Sequence, residues 1–169
     1  MTNPHRLAFD VSGQSILITG GGGILGGAIA HALFAGGADV TILDYNLPAA
    51  QSMVASFDAQ PGTGRALAVH GDVLQPESVA AAVDQTLAAF GKIDALVNAA
   101  GGNKPAATTG AGQSFFDLPP EALRGVLDLN LMGTIIPCQV IGRYMACCQQ
   151  GVILNISSMN AFRPLTRIA

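Results

Sequence analysis

Charged residues are scarce in this chain, and tryptophan is absent. Only 11% of the 169 residues are charged, the formal net charge is -3, and aromatic residues make up 5%. This charge pattern excludes the basic footprint that nucleic-acid binding requires. The residues from Met1 to Leu7 lack the apolar run of a secretory signal, and no segment approaches the length of a membrane span, so we predict no membrane partner.

Cysteine is scarce as well. The three cysteines lie between Cys138 and Cys148 in one predicted helix and form no C-x-x-C pair, which predicts free thiols in a reducing, cytoplasmic compartment. The three histidines, His5, His31 and His70, share no ligand spacing. The sequence therefore predicts no metal site.

Glycine and small aliphatic residues are abundant, with 21 glycines and an apolar fraction of 50%. Apolar runs alternate with segments of helical periodicity, which predicts an α/β fold built from right-handed βα units. We expect a Rossmann-type doubly wound parallel sheet in the order 3-2-1-4-5. The whole of 1–169 would form one three-layer αβα domain. Pro137 predicts a kink or break in the last helix. The predicted strands are Ser15–Thr19, Asp39–Leu43, Ala66–His70, Ile93–Asn98 and Gly151–Ser157, and the predicted helices are Gly23–Ala35, Pro48–Ala59, Pro76–Phe90 and Pro119–Cys148.

The stretch from Ser15 to Ala30 runs from an apolar strand through a glycine-packed turn into a helix. Glycines let the backbone approach phosphates, and the unpaired N–H groups at a helix start attract an anion. Gly21, Gly23 and Gly26 fit the G-x-G-x-x-G spacing of dinucleotide-binding turns. We therefore predict a pyrophosphate site here, with a glycine-rich surface turn as the alternative.

Asp44 ends the second strand about 20 residues after the glycine turn, where a carboxylate binds the ribose hydroxyls and repels a 2′-phosphate. Tyr45 and Asn46 add no positive charge, so the sequence predicts NAD rather than NADP. A solvated strand-end carboxylate is the alternative. Asp72, after the third strand, either accepts a hydrogen bond from the adenine amino group or caps the helix that begins at Pro76.

Ordered motifs along the whole chain resemble those of the short-chain dehydrogenase/reductase family. The turn from Thr19 to Gly26 resembles its Thr-Gly-x-x-x-Gly-x-Gly motif, except that the family's middle glycine falls at Ile24. Asp72-Val73 resembles its adenine-contacting pair, and the segment 98–101 resembles its Asn-Asn-Ala-Gly motif. The predicted cofactor-binding residues are Gly20, Gly21, Gly23, Ile24, Gly26, Asp44, Asp72, Val73, Asn98, Ala99, Ala100 and Gly101.

The resemblance also implies a catalytic set. Asn130 resembles the family's helix asparagine, which holds a proton-relaying water, and Ser158 resembles the serine that orients the substrate oxygen. The implied reaction is hydride transfer between the nicotinamide of NAD and a carbonyl or secondary alcohol. For Ser158 alone, a hydroxyl that satisfies a strand-end turn is the alternative.

The family's acid/base motif, Tyr-x-x-x-Lys, is not in this sequence. Tyr45 is followed four residues on by Ala49, and Tyr144 by Cys148. In the family the tyrosine follows the serine by about a dozen residues, a position just beyond Ala169. We hypothesise that these residues are a piece of a longer enzyme without the C-terminal part of the family's fold, which would leave strand five as an exposed apolar edge.

The segments 101–105 and 157–164 resemble the branch of the family that reduces fructuronate to mannonate, or related sugar-acid reductases. Arg163, Arg167 and Lys104 are candidates for a substrate carboxylate, and solvated loops are the alternative.

Other functions stay open from the sequence alone. A non-catalytic NAD-binding module or sensor has the same early motifs, as does an NAD-dependent nucleotide-sugar epimerase. Because the family commonly buries the long helix in subunit interfaces, the resemblance also implies a homodimer or homotetramer. Core packing alone is the alternative explanation of the apolar stripes on this helix.

Overall fold

The computed structural model describes residues 10–58 and 63–158, which form a parallel five-stranded sheet in the order β3-β2-β1-β4-β5. The predicted α/β class and strand order are therefore confirmed. The strands are β1 (Ser15–Thr19), β2 (Asp39–Asp44), β3 (Ala66–His70), β4 (Ala95–Asn98) and β5 (Val152–Asn155). The helices are α1 (Ile24–Ala35), α2 (Leu47–Ala55), α3 (Pro76–Phe90), α4 (Pro120–Leu127) and α5 (Gly133–Cys148).

The core has two halves, one on each face of the sheet, because successive side chains of a strand point to opposite faces. In β1, Ile16 and Ile18 pack towards Phe34 of α1, whereas Leu17 packs with Ile141 of α5 on the other face. All five residues of β1 are buried. A central strand that helices cover on both faces has a continuous run of apolar residues. The bounds of β1 can therefore be predicted from the sequence.

The register of the strands aligns their carboxyl ends. Thr19 of β1 pairs with Leu43 of β2 and with Asn98 of β4, and Asn98 in turn pairs with Asn155 of β5. The glycine turn, the loop after β4 and the segment after β5 therefore begin at one edge of the sheet. In doubly wound sheets this edge carries the ligand site.

The last predicted helix differs from the prediction. It is interrupted by a π-helical segment, Asp128–Met132, and Pro137 lies inside the regular helix α5, so the predicted break at Pro137 is wrong. Within the interruption, Asn130 Nδ2 donates to the carbonyl of Val126 at 2.8 Å, and Thr134 Oγ1 donates to the carbonyl of Asn130 at 3.1 Å. These side-chain bonds supply partners to carbonyls along the widened turn.

Helix α2 is shorter than predicted. It ends at Ala55 rather than Ala59, with Ser56 as its C-cap. The Ser56 hydroxyl donates to the carbonyl of Met53 at 2.6 Å. A serine side chain that satisfies a backbone carbonyl in this way competes with continuation of the helix.

In the part of the chain that the structure describes, one helical run, Pro120–Cys148, is long and apolar enough to cross a bilayer, with a mean hydropathy of 1.3. The prediction that no segment approaches such a span is therefore wrong on length and composition. One side of this run packs inside the domain, where Ile141 and Met145 are buried. A core helix passes the same composition test, so the finding is weak evidence for a membrane.

The sheet edge at β5 is exposed. All four residues of Val152–Asn155 are exposed, as is Ile156 after them. Among the described strands, none pairs with the outer side of β5. Native proteins usually cover an apolar edge strand of this kind.

Candidate functional site

The turn between β1 and α1 depends on two glycines. Gly20 has a φ of +65°, and a Cβ there would be 2.7 Å from the Cα of Ala100. A Cβ at Gly26 would be 2.5 Å from the carbonyl oxygen of Gly20. The turn thus packs closely against both the loop after β4 and its own helix, as phosphate-binding turns do.

The first turn of α1 is open to an anion. Its N-cap is Gly23, no side chain caps it, and no acidic residue stands in the first turn. Ile24, where the family has its middle glycine, begins the helix and is 96% exposed. The turn therefore forms without a glycine at that position, and its N–H groups retain the capacity to bind a phosphate.

Asp44 has a role that the sequence analysis missed. Its Oδ2 accepts a hydrogen bond from the backbone N–H of Gly22 at 3.0 Å, and its Oδ1 accepts one from Asn46 at 2.9 Å. The carboxylate therefore fixes the glycine turn and also lines the cleft beside it. Since the partners are 22 residues apart in the chain, no local pattern indicates the bond.

The helix-capping alternative for Asp72 is wrong. The N-cap of α3 is Gln75, which makes no side-chain cap bond. Asp72 Oδ1 instead accepts from the N–H of Leu74 at 2.9 Å, and Ser78 Oγ accepts from the N–H of Asp72 at 2.9 Å. These bonds fix the loop so that Asp72 and Val73 line the cleft.

The cleft at the carboxyl edge of the sheet has two connected compartments. The first, here called the cofactor compartment, has a volume of about 580 Å³. Ten of the twelve predicted cofactor-binding residues line it: Gly20, Gly23, Ile24, Gly26, Asp44, Asp72, Val73, Ala99, Ala100 and Gly101. Of the other two, Gly21 faces the core, since its Cβ would meet the side chain of Ile42 at 2.9 Å, and Asn98 lines the neighbouring compartment. Small residues, open helix N–H groups and a carboxylate together fit a dinucleotide.

The second, here called the substrate compartment, has a volume of about 520 Å³ and shares Leu25 and residues 99–101 with the first. Both predicted catalytic residues, Asn130 and Ser158, line it. The structure thus brings these two side chains to one compartment, next to the glycine turn, from a helix and a strand end that lie far apart in sequence.

The side chain of Asn130 anchors the loop after β4. Its Oδ1 accepts from the N–H of Gly102 at 3.1 Å, and its Nδ2 donates to the carbonyl of Gly102 at 2.7 Å. With the bond to Val126, both amide N–H groups are in use, which leaves one acceptor lone pair on Oδ1. A Cβ at Gly101 would be 2.8 Å from Oδ1, so a larger residue there would displace the Asn130 amide.

Asn98 joins β4 to β5 beneath the substrate compartment. Its Nδ2 donates to Asn155 Oδ1 at 2.8 Å and to Cys138 Sγ at 3.2 Å. Sequence reasoning missed the parts of Asn155 and Cys138 in this network. Two asparagines that end neighbouring parallel strands are a pattern that could have indicated the first of these bonds.

Neither tyrosine lines the substrate compartment. Tyr45 is 73% exposed and lines the cofactor compartment. Tyr144 is on α5 and lines a separate groove with residues of α3, where burial raises the pKa of its hydroxyl and a hydrogen bond with Cys148 raises it further. A phenol with a raised pKa, outside the cleft, does not suit proton transfer near neutral pH.

The remaining candidates are separate from the catalytic pair. His31 hydrogen-bonds Ser56 at 3.1 Å, and Lys104 lines the cofactor compartment. His5, Arg163 and Arg167 lie outside the described residues. Within residues 10–58 and 63–158, no three His, Cys, Asp or Glu side chains are grouped closely enough to hold a metal ion.

Comparison with known proteins is consistent with this geometry. The family model described as short chain dehydrogenase matches residues 14–169. The uncharacterized oxidoreductase UxuB of Bacillus subtilis (strain 168) is 36% identical over 167 residues, covering 94% of this chain and 59% of the relative.

Two solved structures are also similar to this chain. One is a Haemophilus influenza protein provisionally named D-mannonate oxidoreductase, with bound NAD; it has a TM-score of 0.85 and 36% identity, over 94% of this chain and 60% of that one. The other is an NAD+-bound xylitol dehydrogenase, with a TM-score of 0.83 and 29% identity, over 95% of this chain and 58% of that one. The chain thus spans about three fifths of the length of the relatives it matches.

Proposed function

Since the chain belongs to the short-chain dehydrogenase family, we propose that the whole protein is an NAD-dependent oxidoreductase acting on a carbonyl or secondary alcohol. One observation carries this proposal. A compartment with a glycine turn and Asp44 opens into a compartment with Asn130 and Ser158. The arrangement provides a place for a dinucleotide and, beside it, polar groups for a substrate oxygen.

NAD would be held by the N–H groups at the start of α1 and by the Asp44 carboxylate, which suits ribose hydroxyls and repels a 2′-phosphate. When bound, NAD supplies a hydride donor or acceptor at its nicotinamide ring. The bound NAD of the two similar structures supports this choice.

In the proposed mechanism Ser158 hydrogen-bonds the substrate oxygen and orients the carbon that gains or loses hydride. Asn130 holds the loop at Gly102 and offers its remaining Oδ1 lone pair to a water. We assign the acid/base role to a residue outside the described part of the chain, because neither Tyr45 nor Tyr144 lines the substrate compartment.

A sugar acid or related polyol is the proposed substrate class. The support is the D-mannonate and xylitol in the names of the two similar structures, together with the sequence pattern at 101–105. Met132 and Ile135, which are exposed along the long helix and line neither compartment, support a homodimer or homotetramer. A reducing cytoplasmic compartment fits the free thiols of Cys138, Cys147 and Cys148.

A non-catalytic NAD-binding module is the second candidate, favoured by the absence of Tyr-x-x-x-Lys from these 169 residues. The test is to incubate the whole protein with NAD and D-mannonate or xylitol, and with NADH and fructuronate, while following NADH absorbance. Turnover that Ser158→Ala removes supports the oxidoreductase. Calorimetric NAD binding without turnover on any of these compounds supports the module, and no NAD binding contradicts both.

A further inference from the structure

Lys104 projects from the loop after β4 into the cofactor compartment and lies across helix α4 at Gly125. A Cβ at Gly125 would clash with Lys104 Nζ and would lie 3.3 Å from its Cε. The end of the lysine side chain therefore occupies the space that any other residue at 125 would fill, and both residues line the compartment.

The backbone beneath Lys104 is held from both sides. Asn103 Nδ2 donates to Thr108 Oγ1 at 3.0 Å, and Thr108 Oγ1 donates to the carbonyl of Lys104 at 3.1 Å. On the other side, Asn130 bonds both the N–H and the carbonyl of Gly102. A loop fixed in this way presents its cation with little further loss of backbone entropy on binding.

The charges of the residues that line the cofactor compartment indicate which kind of ligand group the Lys104 ammonium binds. Among the described residues that line the cofactor compartment, Lys104 is the one cation, beside the carboxylates of Asp44 and Asp72. The ion pairs formed within residues 10–58 and 63–158 are Arg65 with Asp39 and Lys92 with Asp94, so neither involves Lys104. A ligand anion in this compartment would find its positive partner here.

We propose that Lys104 binds the pyrophosphate of the dinucleotide. Its ammonium would supply the positive charge that Asp44 and Asp72 cannot, and would act together with the N–H groups at the start of α1. The inference rests on the proposed function, since it names a further contact within the NAD site. Lys104 lines the compartment of the glycine turn and not that of Ser158, which favours a cofactor phosphate over a substrate carboxylate.

The test is calorimetric titration of the whole protein with NAD, ADP-ribose and adenosine, for wild type and Lys104→Met. Methionine keeps the length of the side chain and removes its charge. We expect the dissociation constants of NAD and ADP-ribose to rise by about tenfold, the scale of one charged hydrogen bond, with that of adenosine unchanged. The effect should shrink at high salt, because the contact is electrostatic.

The matched control is Arg124→Met. Arg124 is an exposed cation beside Gly125 in the chain, but it does not line the compartment. The Arg124→Met protein should therefore bind all three ligands like wild type.

Gly125→Ala provides a second variant that keeps the charge. The new methyl group displaces the flexible end of Lys104, so we expect weaker binding of NAD and ADP-ribose at unchanged adenosine affinity. Gly142→Ala in α5 is the control, since its Cβ would make an ordinary 3.6 Å contact with Ile153 Cδ1.

Equal affinity of Lys104→Met and wild type for ADP-ribose would overturn the inference while leaving the proposed function intact. Equal NAD affinity with a raised KM for a sugar acid would also overturn it and assign Lys104 to the substrate. A loss that extends equally to adenosine would overturn it in favour of a structural role. Wild-type protein that binds no NAD would overturn the proposed function itself.

Discussion

The carboxylate of Asp44 accepts a hydrogen bond from the backbone N–H of Gly22 at 3.0 Å, which joins the end of β2 to the glycine turn. The residue proposed to select NAD by its charge is therefore also part of the framework of the site. A substitution that removes the whole carboxylate changes both properties at once. Asparagine separates them in part, because its amide oxygen can still accept from Gly22, while the negative charge and the second acceptor, which binds the exposed N–H of Asn46, are gone.

The first prediction concerns cofactor choice. Asp44→Asn should lose less stability than Asp44→Ala, because it keeps the acceptor for Gly22 and gives up only the bond from the exposed N–H of Asn46. It should weaken the preference for NAD over NADP, and adding Tyr45→Arg should shift the preference further towards NADP. Asp44→Ala should lose about 1–2 kcal/mol of stability, because the N–H of Gly22 loses its partner. Dissociation constants for both cofactors and denaturant unfolding measure the two effects. Unchanged discrimination in the double variant would contradict the role of Asp44.

The second prediction concerns Ser158. In the whole protein, Ser158→Ala should lower kcat on the order of 100-fold or more, because the hydroxyl is proposed to orient the substrate oxygen in the transition state. The dissociation constant of NAD should change little, since Ser158 lines the substrate compartment and not the cofactor compartment. Ser157→Ala, at the neighbouring position, is the matched control. A larger loss in Ser157→Ala than in Ser158→Ala would move the role to Ser157.

Local patterns predicted those parts of the fold that burial dictates. The bounds of β1, β3 and α3 agree with the sequence analysis, since an apolar run or a proline in the first turn marks each of them. The end of α2 at Ala55, with Ser56 as the C-cap, and the π-helical segment around Asn130 were missed. Their decisive bonds run from a side chain to a backbone carbonyl, and helical periodicity carries no information on such bonds.

Sequence motifs named ten residues that line the cofactor compartment, and Asn130 and Ser158 in the neighbouring one, but not the bonds that hold these residues in place. The roles of these residues in binding and catalysis stay predictions. The bonds from Asp44 to Gly22 and from Asn130 to Gly102 span 22 and 28 residues, so only the folded chain reveals them. Average hydropathy likewise cannot tell which side of the run 120–148 packs against the sheet.

The third prediction compares two helix glycines. Gly26→Ala should lower the stability of the glycine turn and weaken NAD binding, because its Cβ would be 2.5 Å from the carbonyl oxygen of Gly20, a backbone atom that cannot move aside cheaply. Gly142→Ala should be neutral or stabilising by up to about 1 kcal/mol, since alanine favours helix and the site has room. Thermal unfolding and NAD titration of both variants measure the difference. Equal behaviour of the two variants would contradict the close packing at Gly26.

The fourth prediction concerns pH and the pair formed by Arg65 and Asp39 at the opposite edge of the sheet from the cleft. Arg65 Nε and backbone N donate to Asp39 Oδ1 at 3.1 and 2.8 Å. The side-chain hydrogen bond from Arg65 is the main cause that holds the pKa of Asp39 below its ordinary value of 3.8, against the opposing effect of burial. A carboxyl whose pKa is lower in the folded state stabilises the fold fully above pH 3.8, and that stabilisation is lost as the pH falls through the folded value.

The measurement is a double-mutant cycle of Arg65→Met and Asp39→Asn, followed by denaturant unfolding at neutral pH and near pH 2. Arg65 also donates to the carbonyl of Ala89 at 3.0 Å and lies over the ring of Phe90, contacts that do not depend on Asp39. The single variant Arg65→Met should therefore be less stable than wild type at both pH values, while the coupling energy with Asp39 should be present at neutral pH and fall towards zero in acid. NAD affinity should not change, because neither residue lines the cleft. A coupling energy that persists in acid would show that the pair acts through packing and not through the charge of Asp39.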